Sequence, residues 1–189
     1  MGIEVDGQVM GRVLYLPASS AAGETAALRA QVVEVLSRRR GELVEEMSAA
    51  VRRAGLAAVL EIGGVALERR LDDAARIVLA AWERRRPLHV TELDALRALG
   101  IALGRSGMPL WRLLSAVQHA ARAGWDYAAE QALAVVEESP RPRLAARVVT
   151  ELSVEALELL GRIQAQIAAG HGEVATPQRG TGSAVPART

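Results

Sequence analysis

Apolar residues recur at three- and four-residue steps through most of this 189-residue chain, and that spacing restricts its fold more than any other feature. The pattern starts after position 23 and continues to Gly170. Such a period places the apolar side chains on one face of a helix, and each helix must bury that face against another helix. No series of strands that could form a parallel sheet accompanies it. The sequence therefore predicts an all-α bundle of five or six amphipathic helices.

Glycine and proline mark where one helix ends and the next begins. The first helical segment begins at Glu24 and ends at Gly55, and Gly41 either kinks or splits it. Pro87 closes the next segment. The run Ser-Pro-Arg-Pro at 139–142 separates the last two helices.

The second half of the chain contains three predicted helices. Thr91, followed three residues later by Asp94, resembles a capping box and predicts a helix over 91–106. A helix over 109–138 follows and is expected to be the longest. The last helix is expected to stop at Gly170.

Both ends of the chain lack the helical period. Residues 1–22 carry Asp6-Gly7 between short apolar pieces, which predicts a short β-hairpin or an extended arm. Residues 171–189 are rich in Gly, Pro, Thr, Ser and Ala and predict a disordered tail. The expected organisation is therefore an arm over 1–22, a helical domain over 23–170 and a tail over 171–189.

Charge and composition exclude several classes of protein. The 23 basic residues, all arginine, nearly balance 22 acidic ones, so no sustained field favours nucleic acid or anionic lipid. The absence of cysteine excludes disulfides, thiolate metal sites and cysteine nucleophiles. Arginine or glutamate interrupts every apolar stretch well before the roughly 18 residues that a membrane span needs. Because the N-terminus also lacks a secretory pattern, we expect a cytoplasmic protein that binds neither nucleic acid nor membrane.

No group of residues has the spacing of a catalytic or metal site. Adjacent acids such as Glu45-Glu46 and Asp72-Asp73 point about 100° apart on a helix, and arginines at helical spacing pair with such acids. The histidines show no pairing of the HxxxH or ExxH type. We therefore predict a protein that is not an enzyme, with no catalytic residue, no metal and no cofactor.

His119 is the residue that could suggest a cofactor, because a lone histidine on a long helix can ligate haem. A helical wheel places it almost opposite the apolar face of its helix. That face comprises Leu110, Leu114, Val117, Ala121, Ala128 and Ala132. An exposed or interface histidine is the favoured interpretation, and a globin-like haem sensor is kept as an alternative.

Glycines and tryptophans supply the candidate contact residues. Gly100 and Gly104 lie four residues apart on one helix face, where small residues let a second helix or a ligand approach closely. Trp111 and Trp125 lie on nearly the same side of the next helix. That position fits a core rim, a dimer contact or one wall of a small-molecule pocket.

A leucine-rich helix, two glycines, a Pro-Leu turn and a long helix carrying a tryptophan follow one another from Leu93 to Trp125. Gly100 and Gly107 are the two glycines, and Pro109-Leu110 forms the turn. This order resembles the helical N-terminal sensing domain of PucR/CdaR-type transcription regulators and of RsbR-type co-antagonist proteins.

Two positions and the end of the chain depart from that family pattern. Gly104 stands where the family usually has alanine, and Val117 replaces a common aromatic residue. Members of the family normally continue into an output domain. A tail is predicted here in place of an output domain, so an output through a partner or through a change of oligomer is expected.

The resemblance implies a stand-alone sensory or regulatory domain that binds a small ligand or a regulatory protein partner. Signalling would occur by helix repacking in a homodimer. The expected ligand contacts come from the two helices that carry the resemblance: Gly100, Gly104, Trp111, Gln118 and Trp125. A ligand-free protein–protein interaction or scaffold module is the alternative function.

Overall fold

A computed structural model describes residues 18–61, 64–137 and 142–175 of the chain. Within these ranges there are seven α-helices and no strand, which confirms the all-α prediction. The helices are α1 (Ala18–Arg38), α2 (Arg40–Arg53), α3 (Ala57–Leu60), α4 (Leu67–Arg84), α5 (Val90–Arg105), α6 (Leu110–Glu137) and α7 (Pro142–Ala175). The predicted hairpin turn at Asp6-Gly7 and the predicted tail after residue 175 lie outside the described residues.

One hydrophobic core takes side chains from all seven helices, including Leu103 of α5 and Ile167 near the end of α7. Its fully buried side chains recur at helical spacing, as Val32 and Leu36 do on α1 and Val148 and Leu152 on α7. Each buried leucine or valine contributes roughly 1.5–3 kcal/mol relative to an exposed one. The apolar faces read from the sequence therefore account for most of the bundle.

Helix α5 packs mainly against α7, and Leu103 joins it to the core. Gly100 of α5 lies against the main chain of α7 at Ile167, and Gly170 of α7 lies against the carbonyl of Arg97. Because neither glycine has a side chain, the two backbones come into direct contact. Helix α7 thus contacts α1 at Glu155, in its first half, and α5 at Ile167 and Gly170, in its second half.

Two helix boundaries at the ends of the described chain differ from the prediction. Helix α1 begins at Ala18, so residues 18–22 are helical and do not belong to an arm. Helix α7 continues through Gly170 to Ala175, so 171–175 are helical and do not belong to a tail. Gly170 is a contact point inside the helix rather than its end. At 34 residues α7 is also longer than the 28-residue α6, which had been expected to be the longest.

The capping box of α5 is formed by His89 and Glu92, and the prediction of Thr91 with Asp94 was wrong. The Glu92 carboxylate accepts a hydrogen bond from the His89 amide at 2.6 Å. The His89 ring nitrogen Nδ1 accepts one from the Thr91 amide at 3.5 Å. His89 has extended backbone angles and Thr91 is already inside the helix, so only His89 can act as the N-cap.

The buried face of α6 is rotated relative to the predicted one. Its buried members are Leu113, Ala116, Ala120, Ala128, Ala132 and Val135. Of the six residues predicted for this face, Ala128 and Ala132 are buried, whereas Leu110, Leu114, Val117 and Ala121 are only half-buried. Small residues let α2 approach closely, and Met47 packs directly against Gly124. A wheel weighted towards large side chains missed this contact.

Across the three described ranges, every helix is too short or too polar to cross a membrane.

Candidate ligand groove

A partly open groove of about 650 Å³ runs between the C-terminal end of α4 and the middle of α7. Its walls combine apolar, cationic and acidic side chains from α1, α4, the α4–α5 connection and α7. The members on which the chemistry depends are Arg29, Trp82, Arg85, Val154, Glu155 and Arg162.

Arg29 of α1 is a buried cation beside this groove, with 3% of its surface exposed. Its two terminal nitrogens donate to the Glu155 carboxylate of α7 at 2.8 and 2.5 Å. One of them also donates to the main-chain carbonyl of Trp82 at 3.2 Å, in the last turn of α4. The guanidinium therefore joins three helices through charge-assisted hydrogen bonds. Its remaining donor, Nε, is buried and has no hydrogen-bond partner.

Trp82 carries a second buried donor without a partner. Its indole packs edge-to-face against Trp125 of α6, with ring centres 6.4 Å apart and planes at 86°. The indole Nε1 is buried and makes no hydrogen bond. An unsatisfied buried donor costs about 1–3 kcal/mol, so two such N–H groups beside one groove require an explanation.

Arg85 ends α4 in a left-handed conformation, with φ at 48°. Among the non-glycine residues of the described chain it is the one with a positive φ. Glycine is the usual residue at this point of a helix end, and another residue costs roughly 1–2 kcal/mol there. The conformation leaves Arg85 exposed at the edge of the groove, where no ion pair holds it.

Arg86 is held differently, by a two-pronged ion pair with Glu92 at 2.7 and 2.9 Å. Hydrogen bonds from Arg86 lower the pKa of the Glu92 carboxyl to about 2, against an opposing effect of burial, and the His89 amide adds to the lowering. The same hydrogen bonds raise the pKa of Arg86. This pair fixes the connection between α4 and α5, and with it one wall of the groove.

The groove is slightly cationic. Four arginines (29, 85, 86 and 162) and three glutamates (151, 155 and 158) line it, which gives a formal charge of +1. Glu155 pairs with Arg29, Arg86 with Glu92, and Glu151 with Arg147. Among the lining residues, Arg85, Arg162 and Glu158 have no ion pair.

The five residues predicted to contact a ligand do not converge. Gly100 and Gly104 both face α7, the latter against His171 and Val174. Trp111 is 68% exposed in the first turn of α6, and Gln118 is exposed on the same helix. Trp125 is half-buried and reaches the groove only through its contact with Trp82. Their role as ligand contacts remains a prediction.

Sequence reasoning missed Arg29, although a signal for it was present. Arg29 stands three, four and seven residues before Val32, Val33 and Leu36, so it occupies a core position of the α1 pattern. A charge at such a position is buried and needs a partner. No comparable indication of Arg85 at the edge of the groove was present in the sequence. The left-handed conformation of Arg85 depends on how α4 meets α5.

A second hollow, of about 570 Å³, lies between α2 and α4. Ser48 lines it with a buried hydroxyl that has no hydrogen-bond partner. Ion pairs between Arg52 and Glu68 and between Arg40 and Asp72 cross from one helix to the other. Hydrogen bonds from the backbone and from Arg52 lower the pKa of Glu68. Val44 is the one large apolar side chain that lines this hollow, whereas Trp82, Val154 and Leu159 line the α4–α7 groove, so the hollow is the weaker candidate.

The other two histidines on long helices, His119 and His171, lie outside the groove. His119 is exposed on α6, as predicted, so it does not face an apolar crevice that could hold haem. His171 lies between α5 and α7, with Nε2 2.7 Å from the Met108 carbonyl oxygen. Among the described residues, no group of three histidines or acids is arranged to hold a metal ion.

Comparison of the chain with family models, with curated proteins and with solved structures gave no match.

Proposed function

We propose that this protein is a sensory or regulatory domain that binds a small ligand in the groove between α4 and α7 and signals as a homodimer without catalysis. The observation that carries the proposal is the pair of buried, unpartnered N–H donors of Arg29 and Trp82 beside that groove. A ligand that supplies an acceptor, with Arg29 or Trp82 turned towards it, would provide the hydrogen bond that these shielded N–H groups lack.

The position of the groove supports a regulatory role. Its walls belong to the end of α4 on one side and to α7 on the other. Helix α7 pairs with Arg29 of α1 through Glu155 and contacts α5 through Ile167 and Gly170. A ligand that contacts both walls would favour one arrangement of these helices, which is the differential binding that a population shift requires.

A screen by thermal unfolding tests this function. We expect at least one compound from a panel of small organic acids, amines and neutral molecules to raise the melting temperature of the wild type. Thr150→Trp places a large side chain in the groove and should abolish the response. Ala169→Trp, at an exposed position of the same helix outside the groove, should keep it.

Light scattering with and without the active compound then measures the oligomeric state. A dimer whose population or shape changes with the compound is the expected result. If no compound raises the melting temperature, or if Thr150→Trp responds like the wild type, the ligand-binding function is wrong.

A ligand-free interaction module is the second candidate, and exposed apolar side chains favour it. Leu157 on α7 is 70% exposed, and Trp111 on α6 is 68% exposed. Tryptophan is enriched among the residues that dominate protein contacts, and Leu157 would add apolar area to such a contact. A stoichiometric protein partner that is lost from Leu157→Arg but retained by Thr150→Trp would favour this candidate over the first.

A further inference from the structure

We propose that the ligand of the α4–α7 groove is a small monocarboxylate with an apolar body. This inference rests on the proposed function and adds the chemical class of the ligand. Hydrogen-bond donors, charge and apolar surface at the groove each contribute to it.

The unpartnered polar groups are donors, so the ligand must bring acceptors. Arg29 Nε and Trp82 Nε1 are both N–H groups, and neither can accept a hydrogen bond. A carboxylate has two acceptor oxygens for such donors, and because both N–H groups are shielded from solvent, Arg29 or Trp82 must turn towards the groove to reach one. An ammonium group has only donors and would leave both N–H groups unsatisfied.

The charges of the groove select a single negative charge. Two lining arginines, Arg85 and Arg162, have no ion pair, and Glu158 is the one lining acid without an ion pair. The unpaired groups therefore carry a net charge of +1, which favours a ligand with one negative charge. A dianion such as a phosphate monoester would exceed that charge and would lie near three glutamates. Electrostatics therefore favours a monocarboxylate over a phosphate.

Apolar side chains provide the place for the body of the ligand. Ala81, Pro87, Val154 and Leu159 line the groove together with the Trp82 ring. Val154 is 52% exposed although its neighbours on α7 pack against the core. An aliphatic chain lying on this surface would remove apolar area from water, which stabilises the complex.

Backbone strain points to Arg85 as the residue that holds the carboxylate. The backbone of Arg85 has a left-handed conformation, which glycine adopts more readily than arginine. Strained positions of this kind concentrate at binding sites. The strain is explained if the guanidinium is needed at the mouth of the groove. Arg85 would then bind the carboxylate at the mouth of the groove, and a turn of the Arg29 or Trp82 side chain would add a hydrogen bond from a shielded N–H group.

Octanoate is a suitable probe, with octanamide and octylamine as uncharged and cationic controls of the same length. Nuclear magnetic resonance of ¹⁵N-labelled protein resolves one indole N–H signal for each of the three tryptophans. Trp111→Phe and Trp125→Phe assign the signals. We expect octanoate to shift the Trp82 signal downfield, as a new hydrogen bond requires, and to leave Trp111 unchanged. Octanamide and octylamine should have much weaker effects.

Arg85→Gly separates binding from folding. Glycine adopts positive φ freely, so the variant should melt at a higher temperature than the wild type. It should nevertheless bind octanoate about tenfold more weakly, as expected when a charge-assisted hydrogen bond is lost. Arg84→Ala, which removes an exposed arginine outside the groove, should bind octanoate like the wild type.

The outcomes distinguish this inference from the proposed function. If octanamide or octylamine shifts the Trp82 signal as strongly as octanoate, or if Arg85→Gly binds octanoate unchanged, the carboxylate inference is overturned and ligand binding stands. If neither these probes nor any compound of the screening panel affects Trp82 or the melting temperature, both are overturned.

Discussion

Gly100 of α5 lies so close to Ile167 of α7 that a methyl group on the glycine would overlap the Ile167 carbonyl oxygen. The contact has a counterpart, because a methyl group on Gly170 would overlap the carbonyl oxygen of Arg97. Two helix backbones therefore touch through two glycines on opposite sides of the interface. Rigid carbonyl groups, unlike the ends of flexible side chains, cannot move aside for a larger residue.

Gly100→Ala should destabilise the protein even though alanine is the better helix former. We expect a loss of roughly 1–3 kcal/mol in the free energy of unfolding, the usual cost of overpacking. Gly161→Ala is the matched control on α7, since nothing lies within 4 Å of its added methyl group. That change should instead stabilise by up to about 1 kcal/mol. Urea unfolding measures both, and equal effects of the two changes would contradict the close contact.

The ion pair of Arg29 with Glu155 should contribute more to stability than any surface pair. Glu155→Ala leaves the Arg29 charge buried without its partner, so we expect a loss of about 2 kcal/mol. This is less than for a fully buried pair, because the Glu155 side chain is 39% exposed. Glu151→Ala breaks an exposed pair on the same helix and should cost under about 0.5 kcal/mol. Similar losses in chemical unfolding would show that Arg29 finds another partner.

Stability should fall in acid partly through Glu92. Its pKa in the folded protein is lowered to about 2 from an ordinary value of 4.5, so the folded state favours the charged form. The stabilisation is therefore complete above about pH 4.5 and is lost as the pH falls towards 2. We expect it to be on the order of 1 kcal/mol, because the pair with Arg86 is partly exposed to water.

Glu92→Gln isolates this contribution, since glutamine keeps the capping-box hydrogen bond but not the charge. The difference in unfolding free energy between wild type and variant should be present at pH 6 and smaller at pH 3. Glu130→Gln, at an exposed position without an ion pair, should show no such change with pH. A wild-type advantage that is the same at both pH values would rule out this role for Glu92.

Periodicity predicted the helices better than it predicted their faces and ends. It found the long helices because apolar residues at three- and four-residue steps require them. On α6 it selected Leu110 and Leu114, yet Ala116 and Ala120 are the buried residues, because small side chains let α2 come closer. At Gly170 it predicted an end, whereas the helix continues, because there the glycine serves contact with α5.

The candidate groove was harder to foresee than the fold. The sequence directed attention to Gly100, Gly104, Trp111, Gln118 and Trp125, which lie close along the chain. The groove instead combines Arg29 with residues near positions 82–87 and 150–162. Residues so far apart in sequence come into contact only when α1, α4 and α7 pack together. No local sequence pattern predicts these contacts.

Local spacing of apolar residues was enough to define this chain as a set of helices, because a helix forms from contacts three and four residues apart. The absence of cysteine and the near balance of charge likewise needed no coordinates. Tertiary packing decided which helix faces touch, where Arg85 takes a strained conformation and which donors stay without partners. Those properties depend on distances between residues remote in sequence, which only the folded chain brings together.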